Sequence, residues 1–170
     1  MLLLFDIDGT LLLRASVEHR EALDEAITAV YGVGDPAAAP VSAAGRTDLD
    51  IAREICLLSG VDVAAIDAGQ DDFRIASAAA YAHRCPEDLS ARVAPGAERV
   101  LGMLSERDGV VLSLVTGNLE PIARLKLARA GIGHHFGPGQ GAFGSDHELR
   151  AELPAIARAT SPARAPTACA

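Results

Sequence analysis

The chain has no tryptophan, and aromatic residues make up only 4% of it, so its core must be built from aliphatic side chains. Cysteine is sparse as well. Cys56, Cys85 and Cys169 stand far apart, with no C-x-x-C and no nearby histidine pair. An odd thiol count without metal spacing argues against a disulfide framework or a structural zinc site and points to a reducing, cytoplasmic setting. Long apolar runs are missing too. The opening MLLLFDIDGTLLL is broken by Asp6 and Asp8 and has neither a basic n-region nor a small-residue cleavage site, so it does not read as a secretory signal. No run approaches the roughly 20 residues that span a bilayer. Positive charge is the minority sign: 15 basic against 23 acidic residues leave a net charge of −8. That balance excludes a general nucleic-acid or anionic-membrane binder, since both need basic surface, while leaving room for one local basic pocket. All but one of the basic residues are arginine; Lys126 is the sole lysine and Asn118 the sole asparagine. A lysine that stands alone in such a background is a candidate for a task that needs a compact ammonium.

What is present is globular. With 170 residues, 49% hydrophobic and 22% charged, the chain fits one domain, or one domain with a smaller insertion. Leu2–Ile7 reads as a buried strand running into a turn at Gly9. From Ser16 to Tyr31, His19, Leu23, Ala26, Ile27 and Val30 share one face at helical spacing, with Ser16 placed as an N-cap and Gly32 as the stop. A second helix follows Gly45-Arg46-Thr47-Asp48, and a third is expected over Ala64–His83. Pro95 opens another helix, and the β-branched run Val110–Val115 reads as a second buried strand that breaks at Thr116-Gly117-Asn118. Pro121 opens the next helix, Gln140–Gly144 is a weak short strand, and Ser145-Asp146-His147-Glu148 fits a capping box for a last helix. Strand, helical block, then helix–strand–helix–strand–helix is an α/β pattern with a helical insertion after the first strand.

Two segments carry chemistry. In Asp6-Ile7-Asp8-Gly9-Thr10, two carboxylates two residues apart at a strand end project to one side. Like charges so close are unfavourable unless a cation or a shared proton lies between them. The geometry suits Mg²⁺ with a nucleophile and an acid/base, although D-x-D-G alone also occurs as a polar turn. Leu11-Leu12-Leu13 follow where a calcium loop would need further oxygen ligands. In Val115-Thr116-Gly117-Asn118, a hydroxyl, bare amides and a helix N-terminus at a strand's carboxyl end form a phosphate seat. Lys126 lies eight residues beyond Asn118, about two turns into the following helix and within reach of a phosphate.

Taken together, D-I-D-G-T, a strand ending in V-T-G-N and the trailing lysine resemble the haloacid dehalogenase-like hydrolase superfamily, from Met1 to about Arg158. Gly45-Arg46-Thr47-Asp48 resembles the cap's substrate-facing loop in phosphoglycolate phosphatase-like members. The resemblance implies a Rossmann-like three-layer core at 1–13 and 93–158, an inserted helical cap at 14–92 and a disordered tail at 159–170. It implies Mg²⁺-dependent hydrolysis of a small phosphorylated metabolite through an aspartyl-phosphate. Asp6 would be nucleophile and metal ligand, and Asp8 the acid/base with its carbonyl on the metal. Thr10 would hold Asp8, and Thr116, Gly117 and Asn118 would cradle the phosphoryl oxygens. Lys126 would offset charge between Asp6 and phosphate, while Gly45, Arg46 and Thr47 would face the substrate from the cap.

The sequence departs from the family's pattern at one place. A fourth motif, an acidic pair of G-D-x-x-x-D type on a further strand, should follow the helix around 151–159, where the chain instead reads TSPARAPTACA. The expectation is therefore a chain lacking the family's last core strands and with impaired activity. Asp146 and Glu148 are the only late acids near a strand end, but they precede the last helix and suit a cap. Two alternatives stay open: a non-catalytic remnant that binds phosphate weakly, and a sugar-phosphate mutase. Cys56 reads as a cap core residue and His134-His135 as surface, and nothing in the pattern fixes an oligomeric state.

Overall fold

The computed structural model describes residues 1–161. Two short strands, β1 (Leu2–Phe5) and β2 (Val111–Leu114), pair in parallel, with Leu2 opposite Val111 and Phe5 opposite Leu114. A parallel pair needs a long crossover. It is supplied by α1 (Val17–Tyr31), α2 (Asp48–Leu58), α3 (Val63–Ala68), α4 (Gln70–Arg84) and α5 (Ala97–Ser105). After β2 come α6 (Glu120–Arg129) and α7 (Leu153–Thr160). The architecture is mixed α/β with helices inserted between the strands, as the sequence pattern predicts.

The core is aliphatic. Helix α1 buries His19, Ala22, Leu23, Ala26 and Ile27, which recur at helical spacing, and α4 buries Phe73, Ser77, Ala80 and Tyr81. These faces join Ile55, Cys56, Leu101, Leu114 and Ile122 in one cluster. Burial pushes the Cys56 thiol up to about 11, so it packs as a neutral small side chain, as expected of it. A smaller cluster, Ala142, Leu153 and Ala157, sets α7 against Leu4 of β1. The two strands differ in cover. Three of the four β2 residues are buried, whereas all four of β1 are half-buried. Among the described residues no strand lies along the second edge of β1.

Several local expectations are corrected. The helix expected over Ala64–His83 is two helices, capped separately by Asp62 and broken at Gly69, where the Tyr31 ring lies 2.6 Å from the place a β-carbon would take. Pro95 precedes α5 rather than opening it, because Gly96 takes the N-cap. The strand expected at Gln140–Gly144 is a single parallel bridge between Val115 and Ala142, as befits a glycine-rich run of low strand propensity.

The capping box at Ser145–Glu148 does not form, because tertiary neighbours recruit its side chains. Ser145 Oγ accepts the Glu120 N–H at the start of α6 (2.8 Å), and Asp146 accepts the Phe143 N–H (2.8 Å). Glu148 pairs with Arg53 of α2, and a 3-10 turn at Arg150–Glu152 leads into α7 instead. Ala159 and Thr160, the first residues of the expected tail, are helical, and Thr160 Oγ1 donates to the Gly141 carbonyl (2.7 Å). The rest of that tail from 162 on, Cys169 included, lies outside the described residues. No described helix is long and apolar enough to cross a membrane. His134 and His135 sit on a 3-10 turn at the surface side of the fold, their rings tilted by 38° with centroids 4.0 Å apart.

Candidate active site

Beyond β1 the chain turns sharply. The buried Ile7 offers its carbonyl to the Leu11 and Leu12 N–H groups (both 2.9 Å), and Gly9 adopts φ +79°, a conformation that favours glycine. Asp6 and Asp8 are thereby placed at the carboxyl end of the strand, facing the loop that leaves β2. That loop is Thr116-Gly117-Asn118, buried throughout and followed by α6. The two strand ends open into a cavity of about 690 Å³, lined also by Arg20, Gly45, Arg46 and Arg150. Open α/β sheets bind ligands at this end of their strands.

The sequence candidates mostly converge here, though not always on the partners expected. Asp8 Oδ2 accepts from Asn118 Nδ2 (2.8 Å) and from Lys126 Nζ (2.7 Å), and Asp8 Oδ1 accepts from Lys126 as well (2.9 Å). Asn118 Nδ2 also donates to Thr116 Oγ1 (2.8 Å), so Thr116 holds Asn118 and Asn118 holds Asp8. Lys126 is fully buried. It stands on Asp8 rather than on Asp6. Thr10, expected to hold Asp8, is exposed, and its hydroxyl has no hydrogen bond among the described residues.

Asp6 is met by a residue that sequence reasoning missed. Its Oδ2 accepts from the Arg150 guanidinium, and its Oδ1 accepts the Ile7 N–H (2.8 Å). Nothing local marks Arg150, which lies 144 residues along the chain. His19 and Asp48 were missed too: His19 Nε2 lies 3.0 Å from Asp48 Oδ2, and His19 Nδ1 lies 3.1 Å from Lys126 Nζ. A titratable ring on the buried face of α1 was the available signal for His19.

Gly45 and Arg46 reach the cavity because the N-terminus of α2 docks on the β2 loop, whereas Thr47, expected to face the substrate with them, is fully buried and does not line it. The Asp48 N–H donates to the Gly117 carbonyl (2.8 Å), and a β-carbon at 117 would collide with the Arg46 carbonyl oxygen. Thr47 caps α2 through the Asp50 N–H (3.1 Å) and donates to the Glu148 carbonyl (2.6 Å). The Arg46 guanidinium is committed to Asp50 (2.6 and 2.8 Å) and Glu54, and the Asp50 hydrogen bond raises its already high pKa. Arg46 lines the cavity as an ion-paired side chain, not as a free cation.

For a divalent metal the donor set is thin. Among the described residues no three His, Cys, Asp or Glu side chains gather as a metal cluster. Asp146 is used by its own turn and Glu148 by Arg53. Both oxygens of Asp6 are already engaged, by Arg150 and the Ile7 N–H, so a divalent ion here would take most of its ligands from water and substrate phosphate oxygens, as Mg²⁺ tolerates.

The haloacid dehalogenase-like hydrolase family model matches residues 3–166. No curated protein matches the chain.

Proposed function

Because the chain belongs to the haloacid dehalogenase-like hydrolase family, and is therefore a hydrolase, we propose that it cleaves small phosphomonoesters through an aspartyl-phosphate on Asp6. The observation that carries this reading is the convergence of Asp6, Asp8, Gly117 and Asn118 in one cavity, with an arginine already paired to Asp6.

In the first step an Asp6 carboxylate oxygen forms a bond to phosphorus as the ester P–O bond breaks, and Asp8 gives its proton to the departing alcohol oxygen. In the second, water attacks the acyl-phosphate, Asp8 takes the water's proton, and inorganic phosphate leaves with Asp6 restored. Positioning and charge stabilisation are most of what this chemistry needs. The Gly117 amide, on a residue that lines the cavity, can donate to a phosphoryl oxygen, whereas the first amides of α6 are already taken by Asp48 and Ser145. Arg150, paired to Asp6, would follow the charge from Asp6 onto the phosphoryl group, the task expected of Lys126.

Members of this family generally use Mg²⁺. Here Asp6 and the Asp8 carbonyl would hold it, and it would neutralise phosphoryl charge. Residues 14–92 would act as a cap on a core formed by 1–13 and 93–158, with Gly45 and Arg46 facing the substrate. The phosphoglycolate phosphatase-like reading makes a small, anionic alkyl phosphate the first substrate class to try.

The test is phosphate release from a panel of alkyl phosphates, 2-phosphoglycolate among them, and from p-nitrophenyl phosphate, with Mg²⁺ and with chelator. Transient labelling of the protein from ³²P-substrate, lost in Asp6→Asn, is the expected result. Neither turnover nor labelling by the wild-type chain would overturn the reading.

A further inference from the structure

Behind Asp8 lies a buried chain of polar groups that the proposed reaction leaves unused. Lys126 Nζ carries three protons and has three kinds of acceptor within reach: the Asp8 carboxylate, Asn118 Oδ1 (2.7 Å) and His19 Nδ1 (3.1 Å). An ammonium only donates, so His19 Nδ1 must accept, and the ring proton is assigned to Nε2. Nε2 then donates to Asp48 Oδ2 (3.0 Å), which also accepts the Leu119 N–H (2.7 Å). His19, Asp48, Asn118 and Lys126 are all buried. Tyr81 closes the compartment, with its ring 5.7 Å from the His19 ring and 5.8 Å from Lys126 Nζ. Each Lys126 proton and the His19 Nε2 proton has an acceptor, so the set is satisfied from the Asp8 carboxylate through to Asp48.

The path crosses the molecule. Asp48 is the first residue of α2, His19 sits on α1, Lys126 on α6, and Asp8 after β1. It is complete only when the N-terminus of α2 is seated on the β2 loop, where the Asp48 N–H meets the Gly117 carbonyl. At the other end the carboxylate is held unevenly. Asp8 Oδ2 takes both Asn118 and Lys126, whereas Oδ1 takes Lys126 alone and keeps lone-pair capacity for a proton in transit.

We propose that His19 and Asp48 are positioning residues for the acid/base Asp8: through the Lys126 ammonium they fix which carboxylate oxygen faces the substrate, and so tie proton transfer to the seating of α2. This inference rests on the phosphomonoesterase reading above. It adds that the helical segment does more than enclose the substrate; it supplies half of the scaffold that aims the proton donor.

The experiment separates aiming from mere packing by the leaving group. An alkyl phosphate needs its departing oxygen protonated, whereas p-nitrophenolate leaves without help. In His19→Ala, kcat on the fastest alkyl phosphate should fall roughly 10²-fold, within the range that general acid catalysis contributes. On p-nitrophenyl phosphate the fall should be about tenfold or less, with KM for both little changed. Asp48→Asn, which keeps an oxygen acceptor for His19 and Leu119, should retain most alkyl phosphatase activity where Asp48→Ala loses it. Equal losses on both esters in His19→Ala, or an Asp48→Asn as damaged as Asp48→Ala, would overturn the inference while leaving the phosphatase reading standing. Absence of turnover by the wild type would remove both. A measurement that needs neither turnover nor a variant stands beside these: long-range ¹H–¹⁵N correlation at neutral pH should show His19 protonated at Nε2 and bare at Nδ1. A proton on Nδ1 would overturn the assignment outright.

Discussion

Asp6 and Asp8 stand two residues apart on one turn, and their side chains are almost equally exposed, at 30% and 29%. Their partners could hardly differ more. Asp8 is held by Lys126, which is fully buried and bonded in every direction, and by Asn118. Asp6 is held by Arg150, itself 30% exposed, on a 3-10 turn at the rim of the cavity. The exposure of a carboxylate does not tell how rigidly it is fixed; the burial of its cation does. A base that must return to one place twice per turnover gains from a fixed partner, whereas a nucleophile that must change its bonding gains from one that can move with the charge.

The sharpest break of this comparison is Asp6→Asn. It should lower turnover by at least about 10⁴-fold, as nucleophile deletions in concerted active sites do, with the melting temperature within a few degrees of wild type. Retained activity in steady-state phosphate release would remove Asp6 from its role. Next in size is Lys126→Met, which fits the space but leaves Asp8 Oδ1, Asn118 Oδ1 and His19 Nδ1 facing no donor. Breaking a fully buried pair costs about 3–5 kcal/mol; Asp8 is 29% exposed, so the loss should fall somewhat short of that, and the urea midpoint should still drop clearly, with turnover. Arg150→Ala sharpens the contrast from the other side. The half-exposed pair should be worth less than about 1 kcal/mol in stability, yet kcat should drop about 10²-fold because the lost charge faces the reacting group. A large stability loss with intact turnover would reverse the assignment of the two cations.

The smallest effect comes from an ion pair that touches no chemistry. Arg92 hydrogen-bonds Glu18 and holds its carboxyl down at about 2, from an ordinary 4.5. The folded-state value is depressed, so its contribution is present in full above the unfolded value of 4.5 and disappears as pH falls from there through 2. Glu18→Gln should therefore cost about 1 kcal/mol at neutral pH, and its stability curve should merge with that of the wild type near pH 2. Denaturant melts at pH 7, 4 and 2 would show it.

The legible parts of the site were those written in adjacent residues. Asp6 and Asp8 announce themselves by spacing at a strand end, Thr116-Gly117-Asn118 by position after a β-branched run, and Lys126 by being the sole lysine. The α/β order was legible too, because strands and helices differ in apolar period. What escaped depends on distant chain segments. His19 sits at helical spacing with Leu23 and Ala26 and so passed as one more buried position. Asp48 follows an N-cap, where an acid is ordinary for helix-dipole reasons. Arg150 has no local pattern at all. Thr10 went the other way: its neighbours in sequence pointed to Asp8, but in the fold it is exposed. Ser145 and Glu148 satisfied a helix-start rule locally and were taken instead by α6 and α2.

Where the backbones of Arg46, Gly117 and Gly144 meet, a β-carbon at 117 would strike the Arg46 carbonyl, and one at 144 would strike the Gly117 carbonyl. In a saturation library these two positions would therefore read as intolerant as the reacting carboxylates, although neither has a side chain with which to react. Anyone reshaping the cavity for a bulkier ester would do better to leave that three-layer stack alone. Ala43 and Ala44 line the same space with small side chains from a flanking loop, and they are where diversity can be introduced without unseating α2.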